Sequence, residues 1–293
     1  LDDTKLHRGY IEQILTQSEY RDFTKLYRFS SVKQRKFLDL YFRHYEVEVI
    51  KKLLRHMLGG REGQPDLSVF QEFFEKHSNL DLEALCKAKN LAEFTDALGK
   101  SAYGDLLRQL LDKGQTSLFD CELQLDLFYF QSLWKARTKI LSKAERKILD
   151  ACYGSRLDIL NIQWIFRARS FYRLSPAQIY ALLIPVHYRL RAETVKQLVE
   201  AEDDAKFFAV LKETPYGKLE TEQTGQMPDV QLLSKQILDQ IYGKTGRRYP
   251  HSPAVLDSYL YFKEQEMRKI VTALEGIRYG ISAPEIMGLI AKQ

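Results

Sequence analysis

The feature that most restricts what this chain can fold into is that it repeats itself. RKFLDLYFRHYEVEVIKKLLRHM (35–57), RKILDACYGSRLDILNIQWIFRAR (146–169) and AVLDSYLYFKEQEMRKIVTALEGIR (254–278) are three versions of one segment. The pairs Leu38-Asp39, Leu149-Asp150 and Leu256-Asp257 open the copies, and an acid follows at an equivalent place, as Glu46, Asp158 and Glu266. Four residues further stand Ile50, Ile162 and Ile270; eight residues further stand Leu54, Phe166 and Leu274. The spacing is helical. Ile50, Leu53, Leu54 and Met57, like Ile270, Ala273, Leu274 and Ile277, recur at i, i+3, i+4 and i+7, the apolar face of an amphipathic helix. Ile162, Ile165 and Phe166 begin the same pattern and place Arg169 at i+7.

A second block repeats at a similar distance. AEFTDALGKSAYG (92–104) matches AKFFAVLKETPYG (205–217), so that Phe94, Leu98, Tyr103 and Gly104 fall on Phe207, Leu211, Tyr216 and Gly217 with a constant offset of 113. No such block precedes the first copy, which is therefore incomplete. The period is too long for a solenoid of 20–50-residue repeats and predicts small helical bundles of about 110 residues. The expected divisions are 1–79, 80–189 and 190–293, with candidate linkers at GGREGQPD (59–66), around Pro185 to Arg191, and at LETEQTGQMPD (219–229). Proline loops follow two of the long helices, LSPAQI (174–179) and SAPEIM (282–287), with Ser175 and Ser282 as expected caps.

Composition agrees with an all-α chain. The 15 glycines and 8 prolines among 293 residues fall below ordinary usage, and such a chain favours long helices over turn-rich β structure. Length alone suggests about two domains, where the repeats count three. No apolar run is long enough for a membrane-spanning helix, and the start LDDTKLHRGY does not read as a secretory signal. Cys86, Cys121 and Cys152 are too far apart for a metal knuckle and read as reduced thiols of a cytosolic-type compartment. Forty-four cations against 39 acids leave a net charge of +5, which permits an acidic partner or membrane surface and does not call for nucleic acid.

Catalytic patterns are lacking. GKTGRRYP (243–250) ends like a phosphate loop, but Leu238 stands where the first glycine belongs and the preceding segment is helical, so it reads as a basic loop ending a helix. The six histidines form no chelating pair, and His77 and His187 (HSNL and HYRL) read as equivalent structural residues. No nucleophile elbow, metal site or cofactor site is expected. The triplicated acid reads as a structural group near a helix start, favoured by the helix dipole, or as the lining of a shared cavity. Lys135, Arg137, Lys139, Lys143, Arg146 and Lys147 form a basic cluster broken only by Glu145, read as an exposed helix face or a contact for an acidic protein or anionic headgroups. Phe128, Tyr129, Phe130 and Trp134 before it read as core.

The triplicated unit, DILNIQWIFRAR (158–169), the paired AYG and PYG blocks and YLYFKEQEMRKIVTALEGIRYGISAPEI (259–286) together resemble the C-subunit family of the prokaryotic V-type (A-type) ATPase, whose eukaryotic counterpart is the d subunit. Glu266, Ile270, Gly276 and Pro284 fit the family's last segment, while Glu275 departs by standing where the second copy has Arg167. The resemblance implies an all-α funnel of three bundles with pseudo-threefold symmetry. It implies a non-catalytic rotor socket on the cytoplasmic face of the membrane, joining the central-stalk subunits to the proteolipid ring and passing torque during H⁺ or Na⁺ transport. Arg55, Asp158, Arg167, Arg169, Glu266 and Arg268 are the expected socket or ring contacts. The rival reading is an all-helical cytosolic scaffold unrelated to rotary motors.

Overall fold

The structure, a computed structural model, describes residues 8–59, 67–68, 70–217 and 229–291. Two of the candidate linkers, 59–66 and 219–229, lie outside the described residues except for Gly59 and Asp229. Among the described residues the regular elements are all helical, as expected, and none is long and apolar enough to cross a membrane. The chain divides into two compact units, Gln13–Ile140 and Leu141–Gln293 with Leu1–Glu12.

The first unit is organised by α1 (Arg8–Phe29) from Gln13 onward and by α2 (Val32–Leu58). Ser31 starts α2 with a capping box, its hydroxyl accepting from the Gln34 amide and the Gln34 side chain accepting from the Ser31 amide. α1 runs back along α2, with Tyr20 against Tyr45 at 5.4 Å and Phe23 against Phe42 at 5.9 Å. α3 (Gln71–His77) completes this aromatic core by stacking Phe73 on Tyr20 at 3.9 Å. His77 packs edge-on to Phe23 here, while His187 in the other unit is exposed, so the two are not equivalent. Next come α4 (Leu82–Lys87), α5 (Leu91–Ala97), α6 (Ala102–Asp112) and α7 (Leu118–Ile140), the last packing along α2. Between these two helices Lys51 is buried and held by Asp126 at 3.0 Å and Glu48 at 2.9 Å. Burial works against the ammonium, but the two carboxylates keep its pKa above the ordinary lysine value.

The second unit opens with a single helical run made of α8 (Lys143–Leu149), a π turn (Asp150–Gly154) and α9 (Ser155–Ser170). The π turn follows from sequence length. Leu38 and Glu46 are eight residues apart, Leu149 and Asp158 nine, so the second copy carries one extra residue that a π turn absorbs while keeping the acid on its face. α10 (Pro176–Leu182), α11 (Ala192–Val199) and α12 (Asp204–Glu213) follow, then α13 (Val230–Arg248), α14 (Pro253–Arg278) and α15 (Ala283–Ala291). The core gathers Ile159, Ile162 and Ile165 of α9 with Leu198, Phe207, Leu233 and Ile237. Tyr242 of α13 stacks flat on Tyr261 of α14 at 4.2 Å.

Three expectations need correction. GKTGRRYP is not a loop, because α13 runs on through Gly243, Lys244 and Thr245 to Arg248. The stretch around Pro185 to Arg191 is not a free linker: Ile184, Val186 and Leu190 are buried and its backbone is bonded to α9. The apolar face Ile270, Ala273, Leu274, Ile277 is helical but not buried; Ile50 and Ile162 are at most 1% exposed, whereas Ile270 is 37% and Ile277 67% exposed.

Candidate functional site

The two repeated motifs meet in three dimensions. In the first unit Glu46 accepts a hydrogen bond from the Tyr103 hydroxyl at 2.7 Å and from Ser78 Oγ at 2.5 Å. In the second, Asp158 accepts from the Tyr216 hydroxyl at 2.7 Å. The sequence Ser101-Ala-Tyr-Gly104 forms a small cap in which Ser101 Oγ accepts from the Gly104 amide at 3.1 Å, and Thr214 Oγ1 does the same for Gly217 at 3.2 Å. The glycine is required because a Cβ at Gly104 would run into the Gly99 carbonyl, and one at Gly217 into that of Leu211. Each block therefore presents a tyrosine at a fixed height to the acid of the same unit.

Asp158 does more than Glu46. Its carboxylate also takes the amides of Tyr188, Arg189 and Leu190 at 3.1, 2.7 and 3.1 Å. One turn later Asn161 bonds both the amide and the carbonyl of Ile184, at 2.9 and 3.0 Å. Asp158 is fully buried, and burial raises its pKa although the Tyr216 hydroxyl and the three amides all favour the charged form. Burial and the neighbouring carboxylates likewise push the Tyr103 and Tyr216 phenols upward. The helix dipole is not the reason for these acids: Glu46 and Glu266 stand in mid-helix, and Asp158 follows an unbroken π turn with no free helix end. For Glu46 and Asp158 the reason is the tyrosine, joined at Asp158 by the loop amides.

Glu266 has no such partner. It is exposed and paired with Lys263 at 2.9 Å. Leu256 and Glu266 are ten residues apart in an unbroken α-helix, two more than Leu38 and Glu46, which turns the acid about 200° around the helix. The Leu-Asp pairs differ in the same way. Leu38, Leu149 and Leu256 are all buried, but of their acids only Asp257 is, at 1% exposure. Asp257 lies near Cys152, Tyr242 and the Arg156–Glu264 ion pair, which closes at 2.8 Å. Neither Asp257 Oδ2 nor the Tyr242 hydroxyl reaches a hydrogen-bond partner. Burial raises the Asp257 pKa to about 7, against the easing effect of the nearby Arg156 guanidinium.

The six charged candidates separate by exposure. Asp158 and Arg169 are committed inside their unit: Arg169 donates to the Ala201 carbonyl, lies 4.0 Å from Asp204 and sits over the Phe207 ring. Arg55 is half exposed and pairs with Glu122 at 2.5 Å; Arg167 is exposed and reaches the Gln231 side chain at 3.1 Å. Arg268 is exposed, as Glu266 is. The structure does not bring the six together within either unit. Reading the residues one motif at a time missed Tyr103 and Tyr216 as partners of the acids. The signal was present: each tyrosine stands 57 or 58 residues after its acid. No group of three or more potential metal ligands occurs among the described residues.

The sequence profile of the ATP synthase (C/AC39) subunit family matches residues 1–289. Curated relatives include the C subunit of the A-type ATP synthase of Pyrococcus abyssi, 26% identical over 217 residues, covering 72% of this chain and 57% of the relative. That of Methanothermobacter thermautotrophicus is 23% identical over 236 residues, covering 78% and 60%. That of Methanocaldococcus jannaschii is 22% identical over 276 residues, covering 90% and 67%. The chain thus spans about three fifths of the length of the first two. With a profile match across nearly its whole length, the chain belongs to the ATP synthase (C/AC39) subunit family.

Proposed function

We propose that this chain is a non-catalytic socket of a rotary ATPase or ATP synthase, seated on the cytoplasmic face of the membrane and joining the central stalk to the proteolipid ring, through which torque passes during ion transport. The observation that carries the reading is the family match over residues 1–289, to which the names of the relatives add an A-type ATP synthase. The three sequence copies, 1–79, 80–189 and 190–293, are proposed to make three bundles of a funnel with pseudo-threefold symmetry.

A joint that turns under load needs apolar anchors as well as charge. Ile277, Tyr279 and Met287, at the end of α14 and on α15, are exposed large apolar residues that suit such anchors. The proposed charged contacts are the exposed Arg55, Arg167, Glu266 and Arg268, with Asp158 and Arg169 holding α9 in place from inside. Co-purification tests the reading. The tagged chain is expected to bring down the stalk subunits and the proteolipid ring from detergent-solubilised membranes that retain an intact complex. Recovery of the complex without this chain, or of the chain without either partner, would overturn it.

A further inference from the structure

Three helix junctions are unusually basic. Residues 28–36, between α1 and α2, carry four cations and no acid; residues 135–147, spanning the end of α7 and all but the end of α8, carry six cations and one acid; residues 244–251, ending α13, carry three and none. These stretches hold thirteen of the chain's 44 cations and only one of its 39 acids, so the remainder is net acidic. The helix dipole explains part of this. Arg28, Arg137, Lys139, Arg247 and Arg248 end their helices, where a cation is favourable. It does not explain the cations that begin the next helix. Lys33 and Lys36 stand in the opening turns of α2, whose first turn holds no acid, and Lys143 is the first residue of α8. There the dipole opposes them.

Internal bonding does not explain Lys36 and Lys143 either. Arg35 is used by the fold, donating to the carbonyls of Tyr27, Ser30 and Arg28. The one acid, Glu145, is occupied in the capping box of α8. Among the described residues, Lys36, Lys139, Lys143 and Lys147 are exposed and in no ion pair. Beside the first group, Phe29 is 81% and Val32 74% exposed, with the Arg28 guanidinium over the Phe29 ring at 5.7 Å. An acidic protein would satisfy the lysines and leave these apolar side chains unaccounted for. A lipid headgroup region takes both, the cations at the phosphates and the aromatic ring at the acyl boundary.

We propose that the basic segments 28–36, 135–139 and 143–147 dock this chain onto an anionic phospholipid surface. Each acts through its own residues. The proposal rests on the socket reading only for bringing the chain near a membrane. The test is co-sedimentation of the full chain with phosphatidylcholine vesicles, with and without a quarter phosphatidylglycerol. Binding is expected only with the anionic lipid, and is expected to weaken as salt rises from about 50 to about 300 mM. At about fivefold per cation, the quadruple variant Lys36→Gln, Lys139→Gln, Lys143→Gln, Lys147→Gln is expected to lose roughly 600-fold in affinity. Phe29→Ser, which leaves every charge in place, is expected to weaken binding by a smaller factor and serves as the second variant. The quadruple variant is expected still to co-purify with stalk and ring subunits in detergent, which separates this surface from the socket contacts. Equal binding to neutral vesicles, an unweakened quadruple variant, or retention on immobilised polyglutamate with none on vesicles would each overturn the proposal, the last assigning the cations to an acidic protein.

Discussion

Replacing Asp257 by Asn should stabilise the second unit at alkaline pH and lose that advantage as the pH falls. The carboxyl is fully buried and ionises near pH 7 in the fold, against an ordinary value of 3.8. In an unfolded chain it ionises near that ordinary value. Below about pH 4 both states hold the proton and there is no effect. Between about 4 and 7 the folded state keeps a proton that the unfolded state gives up, so stability falls as pH rises. Above about 7 both are ionised and the full penalty is present. At 1.36 kcal/mol per pH unit the difference amounts to roughly 4 kcal/mol. Asn removes the titration but leaves a buried amide, a constant offset of about 1–3 kcal/mol against the variant. The informative quantity is therefore the slope of the variant-minus-wild-type difference with pH. Urea unfolding at pH 5, 6, 7 and 8, followed through Trp164 in a Trp134→Phe background, measures it in this unit. The gap should shift in favour of the Asp257→Asn variant by a few kcal/mol from pH 5 to 8. A gap that stays flat, or widens toward acid, would show that the carboxyl is not held neutral and refute the reasoning.

Other consequences can be checked alongside. Tyr216→Phe removes a bond to a buried carboxylate and should destabilise by about 1.5–3 kcal/mol; Tyr103→Phe, whose acid is less buried, should do so by less, both read by urea unfolding. Gly104→Ala forces a Cβ against the Gly99 carbonyl and should cost about 1–3 kcal/mol in the same assay. Burial pushes the Cys121 and Cys152 thiols to about 11 and about 12, so an aromatic disulfide reagent at pH 8 should label the half-buried Cys86 first and the other two only on unfolding.

Much of the fold was legible because its cause is periodic. Apolar spacing places α2, α9 and α14, and the serine that precedes Pro176 marks the start of α10. What escaped depends on helical phase and on contacts distant in sequence. An alignment counts residues and tolerates the one extra residue before Asp158 and the two before Glu266. A helix does not treat them alike, because a π turn absorbs the first and the second pair swings its acid to the outside. The buried setting of Asp257 could not be read from its Leu-Asp pair, since Asp39 in the same pattern is exposed. Burial there comes from α13 packing on α14, with Tyr242 over Tyr261.

The six charged positions bear on how a mutational test of the socket should be read. Asp158 accepts four hydrogen bonds inside its unit, so Asp158→Ala strands the Tyr216 hydroxyl and three loop amides at a dry site and should destabilise by about 3–5 kcal/mol. Arg55 is half exposed and its pair with Glu122 is worth at most about 1 kcal/mol, while Arg268 has no ion pair to lose among the described residues. Charge reversal at Arg55 and Arg268 together should therefore leave the unfolding midpoint within a few degrees of the parent. If these residues are socket contacts, the same variant should lower the yield of stalk and ring subunits in co-purification and uncouple ATP hydrolysis from ion pumping. An Asp158 variant that lowers assembly says nothing about contact, because it also lowers the folded fraction. Normal assembly and coupling by a folded Arg55→Glu, Arg268→Glu variant would remove both residues from the interface.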